Sequence, residues 1–178
     1  MKNLFLKTTL LLFAITLFSC EGNNINTNES TGNDTFSCLV NGKLYTPSAG
    51  TSINGGDIRP FSWSYTNLNN PNIPYYFNLS SLGEYRIELY IVNPKIGINL
   101  ISQKLNNTSD FTNSGMIIKN DIIFYNTGNN QNNGTVIFTE FSETRAIGTI
   151  ECILYNDNGD KLKVTDGKFN LSLDSRTN

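Results

Sequence analysis

The residues able to do chemistry in this chain are few, and one type is missing altogether. Among 178 residues there is no histidine, which removes the commonest general base near neutral pH and the commonest metal ligand. Ser-His-Asp and Cys-His nucleophilic sites are excluded with it. Fifteen acidic residues remain, and a glycosidase needs only two of them. Glu84 and Glu88 fall on one face of a predicted strand, on what reads as its solvent side, while Glu140 and Glu143 flank a turn. Neither pair shows the apolar surroundings that would raise a carboxyl pKa for acid catalysis, so the chain reads as non-enzymatic, with no catalytic residue. Asp157-Asn158-Gly159-Asp160, with Asp166 downstream, breaks the ligand spacing of a calcium loop and has no closing Glu. A polar hairpin turn is expected there, and no metal or cofactor is implied.

Aromatic residues are the other route to a site. Trp63, Tyr65, Tyr75, Tyr76, Tyr85 and Tyr90 could stack on sugar rings if exposed. Phe61, Trp63 and Tyr65 alternate with Ser62 and Ser64, the pattern of a strand whose aromatic face is in the core. Tyr75 and Tyr76 are adjacent and must point to opposite faces, so at most one packs inside. These two are the candidate ligand-binding residues, with a glycan as the ligand class.

Three cysteines complete the inventory: Cys20, Cys38 and Cys152. Cys38 shares a face with Phe36 and Val40, and Cys152 with Ile150 and Leu154, so both are predicted to be buried. In an oxidising compartment such a pair can persist as a disulfide, worth up to about 4–5 kcal/mol for a loop of this length. A buried free cysteine behaves as a small hydrophobe, and a bridge needs Cα atoms within about 7 Å. A Cys38–Cys152 disulfide therefore stands as an open alternative.

Cys20 has a different setting. Lys2 and Lys7 precede an apolar run over 8–18, then Ser19, which reads as a secretory signal peptide over residues 1–19. The chain turns polar at Glu21-Gly22-Asn23-Asn24, whereas a spanning helix needs about 20 apolar residues. Leu17-Phe18-Ser19-Cys20 resembles the lipobox of bacterial lipoproteins, with Phe18 where a small residue is usual. The resemblance implies cleavage before Cys20, diacylglycerol on its sulfur and a palmitate-like acyl group on its amine. Several acyl chains together make a durable bilayer anchor. Residues 20–35 follow as lipidated Cys and tether, too polar to fold alone. A flexible chain of that length holds the domain roughly 20 Å from the anchor. Lys2 and Lys7 leave with the signal and no acidic residue does, so 13 basic residues fall to 11 against 15 acidic. A mildly acidic chain without a basic run is not a nucleic-acid binder.

The elements that must position these residues are strands. No stretch keeps a 3.6-residue apolar period for three turns, and Asn with Gly favours turns. Strands are predicted over 36–40, 43–46, 61–65, 73–80, 84–92, 98–102, 115–118, 122–126, 135–141, 146–155 and 161–173, and a loop over 48–59. Asn41-Gly42 reads as a type I′ hairpin turn, and Asn158-Gly159 supplies the turn of the last hairpin. The expected fold is all-β, an antiparallel β-sandwich or flattened barrel of roughly eight to ten strands, as a single domain over 36–178.

Gly134-Thr135-Val136-Ile137-Phe138-Thr139-Glu140-Phe141, then Ile147-Gly148-Thr149-Ile150-Glu151-Cys152, Asn158-Gly159 and Val164-Thr165-Asp166-Gly167-Lys168-Phe169 resemble the closing meander of a family of uncharacterised Bacteroidetes lipoproteins. The opening Phe36, Cys38, Val40-Asn41-Gly42-Lys43 and Tyr45 are similar to that family's first strand. Ile147 and Ile150 depart from it. The resemblance implies an all-β envelope domain and carries no agreed activity, so no site residue transfers. The function expected is that of a membrane-anchored envelope lipoprotein, in the outer membrane, its periplasmic or surface side open. Its role would be non-enzymatic, binding or structural, with a glycan or an envelope protein as partner. The alternative is a glycan-binding accessory module of an outer-membrane uptake system.

Overall fold

The computed structural model describes residues 34–51, 57–66, 74–105, 113–128 and 133–177; Cys20, the signal segment and most of the tether lie outside them. β1 (Thr35–Val40) and β2 (Lys43–Tyr45) form the first hairpin. Asn41 and Gly42 between them take positive φ, 50° and 80°, the type I′ geometry whose twist matches the flanking strands. β3 (Gly50–Thr51) and β4 (Asp57–Ile58) pair as a small separate ladder inside the stretch expected to be loop. β5 (Phe61–Thr66), β6 (Tyr76–Ser81) and β7 (Arg86–Val92) make a meander, followed by β8 (Gly97–Ile101), β9 (Gly115–Lys119) and β10 (Phe124–Thr127). The long strands β11 (Gly134–Phe141), β12 (Ala146–Tyr155) and β13 (Lys161–Leu171) close the chain. One 3-10 turn, Leu173–Ser175, follows them.

The other strands join in one antiparallel sheet, whose main path is ordered β2-β1-β13-β12-β10-β9-β7-β6-β5 and curls into a half-barrel. β12 is the branch point. Residues from Ala146 to Cys152 pair with β11, while Leu154 and Tyr155 pair with Thr127 and Asn126 of β10. β8 adds to the far side of β11. The C-terminal segment covers the β5 edge: Trp63 and Arg176 form a parallel bridge, and Thr177 N–H donates to the Trp63 carbonyl at 2.8 Å.

Alternation puts the apolar face of each long strand inside. In β12 the residues Ala146, Gly148, Ile150, Cys152 and Leu154 are all buried. In β13 the buried set is Leu162 and Val164, then Gly167, Phe169 and Leu171, so the inward parity changes partway along. A β-bulge makes the change: two residues of β13 stand opposite one on β1, Cys38, and two opposite one on β12, Glu151. Asp166 lies at it with φ of 52°. The extra residue keeps both halves of the strand facing one core. Phe36, Phe169, Gly148 and Phe138 then lie in one row across four strands. Gly148 leaves space for the two rings beside it, which meet edge to face at 5.5 Å. A Cβ at Gly148 would sit 2.6 Å from Phe169 Cζ. From the opposite wall Phe77 meets Phe138 at 5.1 Å and Phe169 at 6.0 Å.

Two features of this core bear on points that the sequence left open. Cys38 and Cys152 are buried as predicted, but both are free thiols. Strand β13 runs between their strands, and two interstrand spacings of about 4.8 Å exceed the roughly 7 Å that a disulfide spans. The Cys152 thiol points instead to Met116 Sδ at 3.4 Å. Burial pushes the Cys38 thiol up to about 12 and also raises Cys152. Second, Asp34 and Thr35, at the end of the stretch read as tether, are part of the fold. The Asp34 carboxylate accepts from the Ser172 N–H at 2.9 Å, the Ser175 N–H at 3.0 Å and the Ser175 hydroxyl. Burial alone would raise its pKa; these donors outweigh that and lower it.

Candidate binding surface

Tyr75 is the one sequence-nominated aromatic with a large open face. It lies just before β6 and is 44% exposed. Its ring stacks on Tyr65 of β5, with centroids 6.1 Å apart and 24° between planes. Tyr65 is held from behind by Phe141 at the end of β11, edge on at 5.3 Å, and Phe141 packs at 4.7 Å on the fully buried Phe138. An outer ring is thus fixed to the core through two others, which limits the rotamer entropy lost when something binds it. The Tyr65 phenol is raised first by burial, then by Tyr75 and by the carboxylate of Glu143. Arg176 lies on the same side of the barrel. Its guanidinium sits 5.6 Å from the Trp63 ring and donates to the carbonyls of Glu143 and Tyr65.

Tyr76 points the other way, as adjacent strand residues must. It is half-buried on the outer face of the sheet, opposite Val92. Next to it in the ladder, Asn78 stands opposite Tyr90. Burial first, and Glu88 second, raise the Tyr90 phenol. The structure therefore separates the two candidates: Tyr75 joins an aromatic stack and Tyr76 a polar outer face. Trp63 is no platform, because its ring is fully buried and its indole N–H donates to the Ser172 carbonyl at 2.7 Å. Tyr85 stacks on Tyr45 at 6.4 Å, next to the Tyr45 hydroxyl's bonds to Ser81 and the Tyr85 carbonyl.

The carboxylates are engaged elsewhere. Glu84 lies before β7 and pairs with Lys43 at 2.8 Å, which holds its pKa low. Glu88 was expected on a solvent face and is instead buried, paired with Arg86 at 2.6 Å and Lys119 at 3.7 Å. Its side of the sheet is partly roofed. The Asn126 side chain bonds both the N–H and the carbonyl of Leu105, and Ile117 is buried beneath. Glu140 pairs with Arg145 at 3.3 Å. The Asp157 turn is organised by the Asn156 side chain, which accepts from the N–H groups of Asn158 and Asp160. Only Gly159 there takes positive φ, 85°, so it is not a type I′ turn. Among the described residues no group of three His, Cys, Asp or Glu side chains could hold a metal. No helix among them is long and apolar enough to cross a membrane. The neighbourhood of Tyr65 and Phe141 escaped sequence reasoning because residues far apart in the chain meet there.

No protein-family model, curated protein or solved structure matches this chain.

Proposed function

We propose that this chain is an envelope lipoprotein, held in the outer membrane by an acylated Cys20, whose β domain is a non-enzymatic binding component. The observation that carries the binding role is the exposed Tyr75 ring, stacked on Tyr65 and backed by Phe141 and the core. Such a surface offers apolar area at little entropic cost, the property of aromatic anchors in binding surfaces. A non-catalytic reading is supported by the carboxylates. Asp34 and Glu84 both have lowered pKa values, opposite to what a general acid needs, and Glu88 and Glu140 are paired with cations. The anchor rests on the charged, apolar and lipobox-like segments of residues 1–20. Cys20→Ser should release the protein from the membrane fraction or block its processing. Normal cleavage with unchanged membrane association would reject the anchor.

A second reading, a glycan-binding accessory module of an uptake system, is favoured by one feature of the same surface. Tyr75 presents an open ring face stacked on Tyr65, and the Glu143 carboxylate acts on the Tyr65 phenol, so an aromatic plane and an acidic side chain both border Tyr65. A glycan array separates the two readings: retention of a carbohydrate that Tyr75→Ala abolishes supports the module, and a blank array removes it.

A further inference from the structure

β8 leaves an edge of the sheet open and apolar. It pairs with β11 on one side, and among the described residues no strand pairs with the other. Its outward side chains Ile98 and Leu100 are 59% and 55% exposed, and Ile96, just before it, 66%. Ile137 of β11 stands directly beside Ile98 and is 38% exposed. Natural edge strands are normally blunted by a charge, a proline or a bulge. Gly97-Ile98-Asn99-Leu100-Ile101 has none of these, and its register against β11 is unbroken.

We infer that β8 is the docking edge for a second copy of this chain, paired antiparallel with β8 of that copy about a two-fold axis at Asn99. The strand is complementary to itself in this register. With Asn99 opposite its counterpart, each Ile98 faces the other copy's Leu100, and each Gly97 faces Ile101. The outward row then runs from Ile137 through Ile98 to the neighbouring Leu100 without a polar break, and cross-strand aliphatic pairs of this kind stabilise a sheet. A slip of one residue would set outward side chains against inward ones. Within Gly97–Ile101 there is no charged residue to oppose its counterpart across the axis. Asn99 needs nothing from the partner, because its amide is bonded to Lys95 and to the Gly97 carbonyl in its own subunit. A five-residue edge buries far less than the roughly 800 Å² per partner of a stable interface. Pairing is therefore weak in dilute solution and rises with local concentration.

The test is cross-linking of the whole chain in the cells that express it. Ile98→Cys and Leu100→Cys copies, differently tagged and co-expressed, are oxidised with copper phenanthroline. The expected result is a mixed disulfide dimer at least about fivefold above either variant alone, because Ile98 and its own counterpart sit two positions out of register, beyond the reach of a disulfide. Leu100→Lys, at an exposed position, should abolish cross-linking through Ile98→Cys while leaving the thermal midpoint unchanged. Mixed cross-linking no greater than that of an Ile122→Cys control would overturn the pairing. So would sedimentation of a Cys20→Ser chain, free of the acyl anchor, with phosphatidylcholine vesicles that Leu100→Lys abolishes, in the absence of cross-links, since the edge would then dock on lipid.

Discussion

Raising the pH should unfold this protein through its two buried thiols. Cys38 and Cys152 are enclosed in the core as protonated groups, with Cys38 pushed up to about 12 and Cys152 also raised by burial. In the unfolded chain both return to the ordinary thiol value of 9.0. A group whose folded pKa is raised contributes stability that is complete below its unfolded pKa and is lost as the pH climbs toward the folded one. The window therefore opens near pH 9 and extends to about 12. Each fully released proton costs about 1.4 kcal/mol per pH unit, so each thiol removes about 2 kcal/mol between pH 8 and 10.5. Tyr45, raised to about 12 by burial, removes about 1 kcal/mol more over that range. The expected loss is thus about 5 kcal/mol, a large part of a typical domain's stability. Urea unfolding under reductant, followed by Trp63 fluorescence at half-unit pH steps, measures it. A Cys38→Ala/Cys152→Ala variant starts less stable but should lose about 4 kcal/mol less than wild type over the same range. Equal slopes for variant and wild type would refute the reasoning, because the burial of the thiols would then not govern the alkaline limb.

Other perturbations test other parts of the architecture. Phe138→Ala empties the junction of the rings of Phe77, Phe141 and Phe169 and should cost about 3–5 kcal/mol in urea unfolding. Ile122→Ser, at an exposed turn tip, should stay within about 0.5 kcal/mol of wild type. Asp34→Asn weakens the acceptor for three donors and should cost about 1–3 kcal/mol at pH 6. Because the Asp34 pKa is lowered, its contribution is complete above about 3.8 and is lost as the pH falls through the folded value, so the gap between wild type and variant should close on acidification below 3.8.

Much of the fold was legible because alternation and turn chemistry are local. Asn41-Gly42 takes the two positive φ angles that its composition suggested, and the inward set of β12 is the one its period of two indicates. Trp63 is as buried as its serine-flanked strand implied. What alternation alone does not fix is where strands go. The branch at β12, the C-terminal cover over β5 and the position of β13 between the two cysteine strands are all non-local. The bulge in β13 did leave a trace, since Leu162 and Val164 differ in parity from Phe169 and Leu171. Asn158-Gly159 does lie in the turn between β12 and β13, but its form was not legible, because the Asn156 side chain captures two backbone donors there. Glu88 looked solvent-facing since nothing nearby in sequence shows that Leu105 is tied down over the outer face of the sheet. At the candidate surface, the pairing of Tyr75 with Tyr65 joins two strands whose register had to be seen.

The central claim is that the Tyr75 surface binds a component of the envelope. The most direct measurement is titration of protein labelled on its tyrosine rings with isolated envelope polysaccharides and proteins, read by NMR and repeated with Tyr75→Ala. The account predicts that the Tyr75 and Tyr65 ring signals move together on binding, while the buried Tyr45 does not respond. It also predicts that Tyr75→Ala weakens affinity at least about tenfold, roughly the 1.4 kcal/mol or more expected of an aromatic anchor, with the urea midpoint unchanged. Unchanged affinity in Tyr75→Ala, or a response confined to Tyr76 and Tyr90 on the outer face, would contradict it.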